Sequence, residues 1–102
     1  MFEKNDKRRL YQLMDMYIVS KIDGWTFCNE FYYSYSLEIS DKILTDLEKN
    51  VFSELDKVSS RFSKFEKDHK EFPGAYFTED QLHKKILESK EKLKEENPLE
   101  KD

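Results

Sequence analysis

The single cysteine, Cys28, and the two histidines, His69 and His83, are the side chains best suited to nucleophilic or metal chemistry. A catalytic thiol needs a neighbouring cation or a helix N-terminus to lower its pKa. Cys28 instead lies within a run of aromatic residues, and the two histidines are fourteen residues apart, which is not a metal-ligand spacing. We therefore interpret Cys28 as a core residue, and the sequence predicts no catalytic residue, no cofactor and no metal site.

The acidic residues offer a different kind of chemistry, the attraction of a cationic partner. Between Glu38 and Asp56 the chain has six acids and two lysines, a local charge of -4. The acids expected to form one outward surface are Asp46, Glu54 and Asp56, with Glu66, Asp68 and Glu71 of the following loop. An ordinary solvated face is the alternative interpretation, since lysines are interspersed in the loop. The functional interpretation is a partner with a basic cleft, which such acids would steer and orient.

Composition limits the classes of protein to which the chain can belong. The 102 residues fit one domain, and eight Phe, six Tyr and one Trp argue against disorder despite 39% charged residues. A net charge of -4 argues against direct nucleic-acid binding, and we interpret the basic run Lys7-Arg8-Arg9 as a solvated helical turn. One cysteine, a polar start and short apolar runs predict a cytoplasmic protein that neither binds nor spans a membrane.

The spacing of apolar residues predicts four helices and no strand. The helices are expected at about 6–21, 24–36, 44–63 and 79–96, with a charged loop at 63–78 that contains the turn signal Pro73-Gly74. Thr45 with Glu48, and Thr78 with Gln81, have the spacing of capping boxes that begin the last two helices. Helices of similar length with short connections predict an all-α fold, an antiparallel four-helix bundle, over a single domain 1–102.

Each of the four predicted helices has an apolar face, and the faces of the second and third helices differ in width. The third helix shows a one-sided stripe: Leu47, Val51, Leu55, Val58 and Phe62. In the second helix the apolar residues cover a wide arc, so we expect it to be the most buried of the four: Trp25, Phe27, Cys28, Phe31, Tyr32 and Tyr35. Tyr33 and Tyr76 are the aromatic residues that we expect to be exposed, and Tyr76 is a candidate binding anchor.

A set of short segments, in order along nearly the whole chain, resembles the immunity proteins of the colicin D type, including those of contact-dependent growth-inhibition toxins. The segments are Ser20-Lys21-Ile22, Phe27, Ile43-Leu44, Arg61-Phe62 and the block from Tyr76 to Leu82. The resemblance implies a four-helix bundle that binds a tRNA-cleaving toxin domain and covers its active site with acids in place of tRNA phosphates. Where the colicin D pattern has an acid before the Arg-Phe pair this chain has Ser60, so we expect nearby acids to replace it.

The expected function is therefore that of a non-enzymatic inhibitor, a monomer that forms a 1:1 heterodimer with a cognate toxin nuclease domain. The residues expected to bind the toxin are Glu54, Asp56, Glu66, Asp68, Glu71, Tyr76 and Glu79. A scaffold protein that self-associates through its aromatic second helix is the alternative. An enzyme is a third possibility, but the chain has no nucleophile, metal or cofactor signature.

Overall fold

The structure, a computed structural model, describes residues 1–100. Its helices are α1 (Arg8–Ile18), α2 (Gly24–Phe31), α3 (Asp46–Ser59), α4 (Glu66–Glu71) and α5 (Glu79–Lys92). A π-helical turn, Tyr32–Ser36, continues α2, and a 3-10 turn, Asp41–Ile43, precedes α3. Over residues 1–100 there is no strand beyond one isolated bridge, so the prediction of an all-α chain is confirmed for this range.

The two predicted capping boxes are present and begin α3 and α5. The Glu48 amide donates to Thr45 Oγ1 (3.1 Å), and the Thr45 amide donates to the Glu48 carboxylate (2.9 Å). The Gln81 amide donates to Thr78 Oγ1 (3.2 Å), and the Thr78 amide donates to Gln81 Oε1 (2.8 Å). These pairs satisfy amides that have no partner within the helix, which fixes where each helix begins.

The core lies where α1 packs on α2 and α5, and where α3 packs on α5 and α2. Aromatic rings fill its centre: Phe31 stacks on Phe27 at 5.5 Å and lies 6.1 Å from Phe52, which meets Tyr11 edge-on at 5.5 Å. All four side chains are fully buried. Among residues 1–100, no helix is both long and apolar enough to cross a membrane.

The predicted stripe of α3 is wrong at its first position. Leu47 is 40% exposed, whereas its neighbour Glu48 is fully buried. The inward face runs from Glu48 through Val51 and Leu55, and Leu47 lies about 100° away from it around the helix. The reason is the capping box, which turns the Glu48 side chain back toward Thr45, where Tyr11 also meets it.

The expectation that the second helix is the most buried is also wrong. Phe27 and Phe31 are buried, but Trp25 is 55% and Tyr32 49% exposed. Trp25 precedes Phe27 by two residues, about 200° around a helix, so the two rings point in opposite directions. Two of the six residues of the predicted arc therefore face solvent, and Tyr33 is exposed as predicted.

The predicted charged loop is organised around α4 and is closed at its base. The Phe77 amide donates to Arg61 O (2.7 Å), and the Ser63 amide donates to Phe77 O (3.1 Å). Residues 64–76 thus leave and rejoin the helical body at adjacent points; we call them the excursion. α1, α3 and α5 are shorter than predicted. α1 ends at Ile18 ahead of Ser20 (φ 63°), α3 spans Asp46–Ser59, and α5 ends at Lys92.

Candidate protein-binding surface

Two adjoining depressions share Trp25 and Phe62, and together we call them the Trp25 surface. The first, of about 480 Å³, lies between the starts of α2 and α5 and the excursion, and its charged residues are Asp23, Lys64, Glu66 and Glu79. The second, of about 320 Å³, lies between α2 and α3, and we call it the Asp56 cavity. Its principal lining residues are Trp25, Cys28, Asn29, Tyr32, Asp56 and Phe62.

Gly24 allows the starts of α2 and α5 to approach each other at this surface. A Cβ atom at position 24 would lie 3.1 Å from a Leu82 methyl carbon, 3.1 Å from the Phe62 ring and against the Glu79 carboxylate. The 3.1 Å distances are shorter than ordinary van der Waals contact between carbons. The position of Glu79 next to Trp25 therefore depends on a residue without a side chain.

The Trp25 surface is anionic. Four carboxylates, those of Asp23, Asp56, Glu66 and Glu79, and one lysine, Lys64, line it, which gives a net charge of -3 with His69 neutral. Lys64 Nζ lies 6.0 Å from the centre of the Trp25 ring, on the boundary of a cation–π contact. The surface thus combines a large exposed aromatic side chain with an excess of negative charge.

Asp56 is the least solvated acid of this surface. Its side chain is half-buried, and burial raises the pKa of its carboxyl group. Among residues 1–100 no cation forms an ion pair with Asp56, and no donor forms a hydrogen bond with its carboxylate. A charged group that lacks a partner and is partly withdrawn from water is a candidate for binding a cation.

The excursion is held in one conformation by Ser63, a buried residue at its base. Ser63 Oγ donates to Asp68 (2.5 Å) and accepts from the Phe65 amide (3.1 Å). His69 Nε2 lies 2.8 Å from Ser63 O and must carry the proton, because a carbonyl oxygen only accepts. Gly74, at φ 82°, provides the turn that leads the chain back.

The outer side of the excursion carries exposed aromatic residues. Phe65 is 59%, Phe72 54% and Tyr76 37% exposed, so the predicted exposure of Tyr76 is confirmed. Tyr76 meets Phe72 edge-on at 6.3 Å and His69 at 6.4 Å. A preformed loop with exposed aromatic side chains is a typical binding element.

The structure brings some of the predicted site residues together and separates others. Asp56, Glu66 and Glu79 line the Trp25 surface, whereas Glu71 and Tyr76 lie on the excursion beside it. Asp68 points inward to Ser63, so it positions the excursion. Glu54 lies on another face of α3 and forms an ion pair with Lys57 (3.0 Å). The hydrogen bond from Lys57 lowers the pKa of Glu54.

Sequence reasoning missed the residues at the centre of the surface. Trp25 and Tyr32 are predicted in the core, and Asp23, which caps α2 by accepting from the Thr26 amide (2.8 Å), is not among the predicted site residues. The signal was present in the spacing: Trp25, Cys28, Asn29 and Tyr32 follow one stripe of α2, and Phe27 and Phe31 follow another.

The Cys28 thiol is not activated. Burial raises its pKa to about 12, with a smaller contribution from the Glu79 carboxylate, so the nucleophilic thiolate is disfavoured at neutral pH. Within residues 1–100, no group of three or more His, Cys, Asp or Glu side chains is placed to hold a metal ion.

Comparison of the chain with known proteins finds no matching family model, no matching curated protein and no matching solved structure.

Proposed function

We propose that this chain is an immunity protein of the colicin D type, which neutralises a cognate bacterial tRNA-cleaving toxin domain. It acts as a non-enzymatic inhibitor in the cytoplasm, as a monomer in a 1:1 complex, without binding nucleic acid or membrane itself. The proposal includes the finer fold that the resemblance implies, an antiparallel four-helix bundle. α1, α2, α3 and α5 would be its helices, and α4 an addition within the excursion.

The observation that supports this proposal is the anionic Trp25 surface. Tryptophan is the residue type most enriched among binding hot spots, and here Trp25 is 55% exposed among four carboxylates. A nuclease that grips the polyanionic backbone of tRNA must present cationic side chains. Such a cleft is the complement of the Trp25 surface in charge, so the acids would occupy positions that phosphates otherwise take.

The order of the excursion favours tight inhibition. Loops that are ordered only on binding lose conformational entropy, which weakens the complex. The contacts of Ser63 with Asp68 and His69, together with the bridge at Phe77, form before any partner arrives. The acids would mainly raise the rate of encounter and set the orientation, while Trp25 and Tyr76 supply buried contact area.

Charge reversal on the Trp25 surface tests the proposal. The toxin candidate is the basic C-terminal domain of a large protein that we expect to be encoded immediately upstream of this chain. Because close charge pairs at interfaces couple by about 1.5 to 7 kcal/mol, Asp56→Lys with Glu66→Lys should weaken the complex by at least about 100-fold. Calorimetry measures the affinity, and survival of cells that express the toxin domain measures neutralisation.

The matched control makes the same charge change at and just beyond the C-terminal end of α5. Glu91 and Glu95 are exposed and lie away from the Trp25 surface, so Glu91→Lys with Glu95→Lys should leave the affinity within about threefold. If the Asp56/Glu66 variant binds and protects as well as wild type, the acidic surface is not what neutralises the toxin.

One observation favours the alternative, self-association through the second helix. Tyr32, Tyr33 and Leu37 are 49%, 46% and 58% exposed, and the first two meet edge-on at 5.8 Å. A second copy would cover these side chains in a homodimer. Sedimentation decides between the two: a mass near 12.4 kDa at micromolar concentration excludes the homodimer, and a doubled mass abolished by Tyr33→Ser with Leu37→Ser supports it.

A further inference from the structure

We infer that the Asp56 cavity is a receptor for the guanidinium group of one arginine side chain of the protein partner. The inference rests on the proposed function only in taking that partner to be the toxin domain. It assigns a chemical role to a cavity between α2 and α3 rather than to the acidic surface as a whole.

The walls of the cavity come from two helical stripes that face each other. On α2 and its continuation, Trp25, Cys28 and Tyr32 recur at the spacing of one helical face, and on α3 Asp56 and Ser59 do the same. Phe62, after the end of α3, closes one side. Phe31 and Phe52, which are fully buried with ring centres 6.1 Å apart, join the two helices in the core.

Three aromatic side chains around one carboxylate are the features of a site for an organic cation. Trp25, Tyr32 and Phe62 line the cavity with Asp56. Aromatic faces attract cations through the ring quadrupole, and they do so more strongly when the cation is partly desolvated. The volume of about 320 Å³ is at the lower end of the range for ligand sites, which is roughly 300 to 1,000 Å³, and is ample for one long side chain.

The state of Asp56 in the free protein points in the same direction. Within residues 1–100 its carboxylate has no ion pair, although the nearby Lys57 pairs with Glu54 at 3.0 Å. Burial raises the pKa of Asp56, which means that its negative charge is poorly solvated where it stands. A cation from the partner would relieve this cost, so the free carboxylate is prepared for a ligand.

Arginine fits the cavity better than lysine does. A planar guanidinium group stacks on aromatic faces while it donates in its own plane to a carboxylate. The remaining polar groups of the lining, on Asn29, Ser59 and Ser60, offer acceptors for the other guanidinium N–H groups. Lysine has three donors on a strongly hydrated ammonium group and would lose more solvation for fewer contacts.

Titration with N-acetyl-arginine amide tests this inference directly. The probe carries the guanidinium group and no charged termini. With isotope-labelled protein, we expect saturable shifts of the Trp25 indole N–H signal and of the amides around Asp56, with a dissociation constant on the order of 1 to 10 mM. N-acetyl-citrulline amide, which has the same shape without the charge, should produce no saturable shift, and N-acetyl-lysine amide should bind several-fold more weakly.

Two variants and a control define the site. Asp56→Asn keeps the shape and should weaken probe binding at least about tenfold, because a charge-assisted hydrogen bond is lost. Trp25→Ala removes one aromatic wall and should weaken binding about threefold to tenfold. Glu54→Gln, on another face of α3, should bind as wild type does. Equal binding of the citrulline or lysine probe, or no effect of Asp56→Asn, would overturn the inference.

The free probe and the toxin complex give separate answers. Micromolar binding of the free probe would identify a site for a small guanidinium compound and overturn the assignment to a partner's side chain. If the toxin complex forms but Asp56→Asn and Trp25→Ala leave its affinity unchanged, the inference fails while the proposed function stands. If the probe binds as expected but the chain neutralises no toxin domain, the cavity is a guanidinium site and the proposed function fails.

Discussion

Two carboxylates of α3 have opposite environments: Glu48 at the start of the helix and Asp56 near its end. Glu48 is fully buried and accepts from Tyr11 (2.5 Å), Lys7 (3.0 Å) and the Thr45 amide (2.9 Å). Asp56 is half-buried at the edge of an open cavity and, among residues 1–100, has no ion pair. The more deeply buried of the two is the one with partners.

The pKa values of these groups differ in direction for the same reason. Burial would raise the pKa of Glu48, but hydrogen bonds from Tyr11, Thr45 and Lys7 outweigh it and the pKa is lowered. Asp56 has burial alone, and its pKa is raised. The difference teaches that burial does not by itself mark a functional acid. An acid that accepts hydrogen bonds from within the chain stabilises the fold, whereas an acid without a partner in the chain is available to a ligand.

Replacement of Glu48 should have the largest effect. Glu48→Gln leaves Lys7 without its ion-pair partner and Tyr11 with a neutral acceptor, in a fully buried position, so the free energy of unfolding should fall by about 3 kcal/mol. Urea unfolding followed by circular dichroism measures it. Glu54→Gln, which breaks an exposed pair on the same helix, should change less than about 0.5 kcal/mol. Equal effects would mean that the burial of Glu48 has no energetic importance.

Removal of the Tyr11 hydroxyl is the next largest change. Burial and the nearby Glu48 carboxylate raise the pKa of Tyr11, so this phenol remains a donor across the physiological range. Tyr11→Phe should therefore cost about 2 kcal/mol, the value of a hydrogen bond to a charged group. Tyr33→Phe, at a 46% exposed ring, is the control and should be neutral. If both variants are as stable as wild type, the hydrogen bonds from Lys7 and Thr45 are sufficient to stabilise the buried Glu48 carboxylate.

The pH dependence of stability should separate the two acids by sign. The stability that Glu48 contributes is present above its ordinary pKa of 4.5 and is lost as pH falls through its lowered folded pKa. For Asp56 the sign is reversed, because protonation below its raised pKa relieves a cost. Between pH 7 and pH 3, Glu48→Gln should flatten the acid decline of the urea midpoint, and Asp56→Asn should steepen it. Parallel curves would contradict the comparison.

Asp56→Asn should have the smallest effect on stability at pH 7. Because the variant removes a poorly solvated charge without breaking an ion pair, unfolding free energy should be unchanged or higher by less than about 0.5 kcal/mol. Thermal unfolding measures the effect, with Glu66→Gln as a control on the exposed rim. A clear loss of stability would indicate that Asp56 has a structural partner and would weaken its assignment to a ligand site.

The sequence predicted the parts of the fold that depend on local chemistry. The boxes at Thr45 and Thr78 specify helix starts through contacts within four residues, and both are present. The inward faces of the helices were harder to predict. Leu47 is the first residue of the predicted α3 stripe, but the capping box turns Glu48 inward, and the distant Tyr11 and Lys7 supply the further hydrogen bonds that make its burial favourable. Helical periodicity carries no information about a contact with a residue 37 positions away.

The sequence predicted the acids of the candidate site but not the aromatic residues at its centre. Asp56, Glu66 and Glu79 are predicted from their charge, and they share the Trp25 surface because α2, α3, α5 and the excursion converge there. Trp25 is predicted in the core because the apolar residues of the second helix cover a wide arc. Its exposure follows from the opposite orientation of Phe27, which a strict count of helical angles indicates. The role of Asp68 as an internal acceptor depends on Ser63 and needed three-dimensional information.

The pair of hydrogen bonds that joins Phe77 to Arg61 and Ser63 has an evolutionary consequence. Since both ends of the excursion are already side by side, lengthening or replacing residues 64–76 adds little loop-closure entropy, about 0.6 kcal/mol for each doubling of length. A descendant of this chain can acquire a new recognition segment by insertion or recombination there while its helices stay as they are. Such a graft would let specificity diversify faster than architecture.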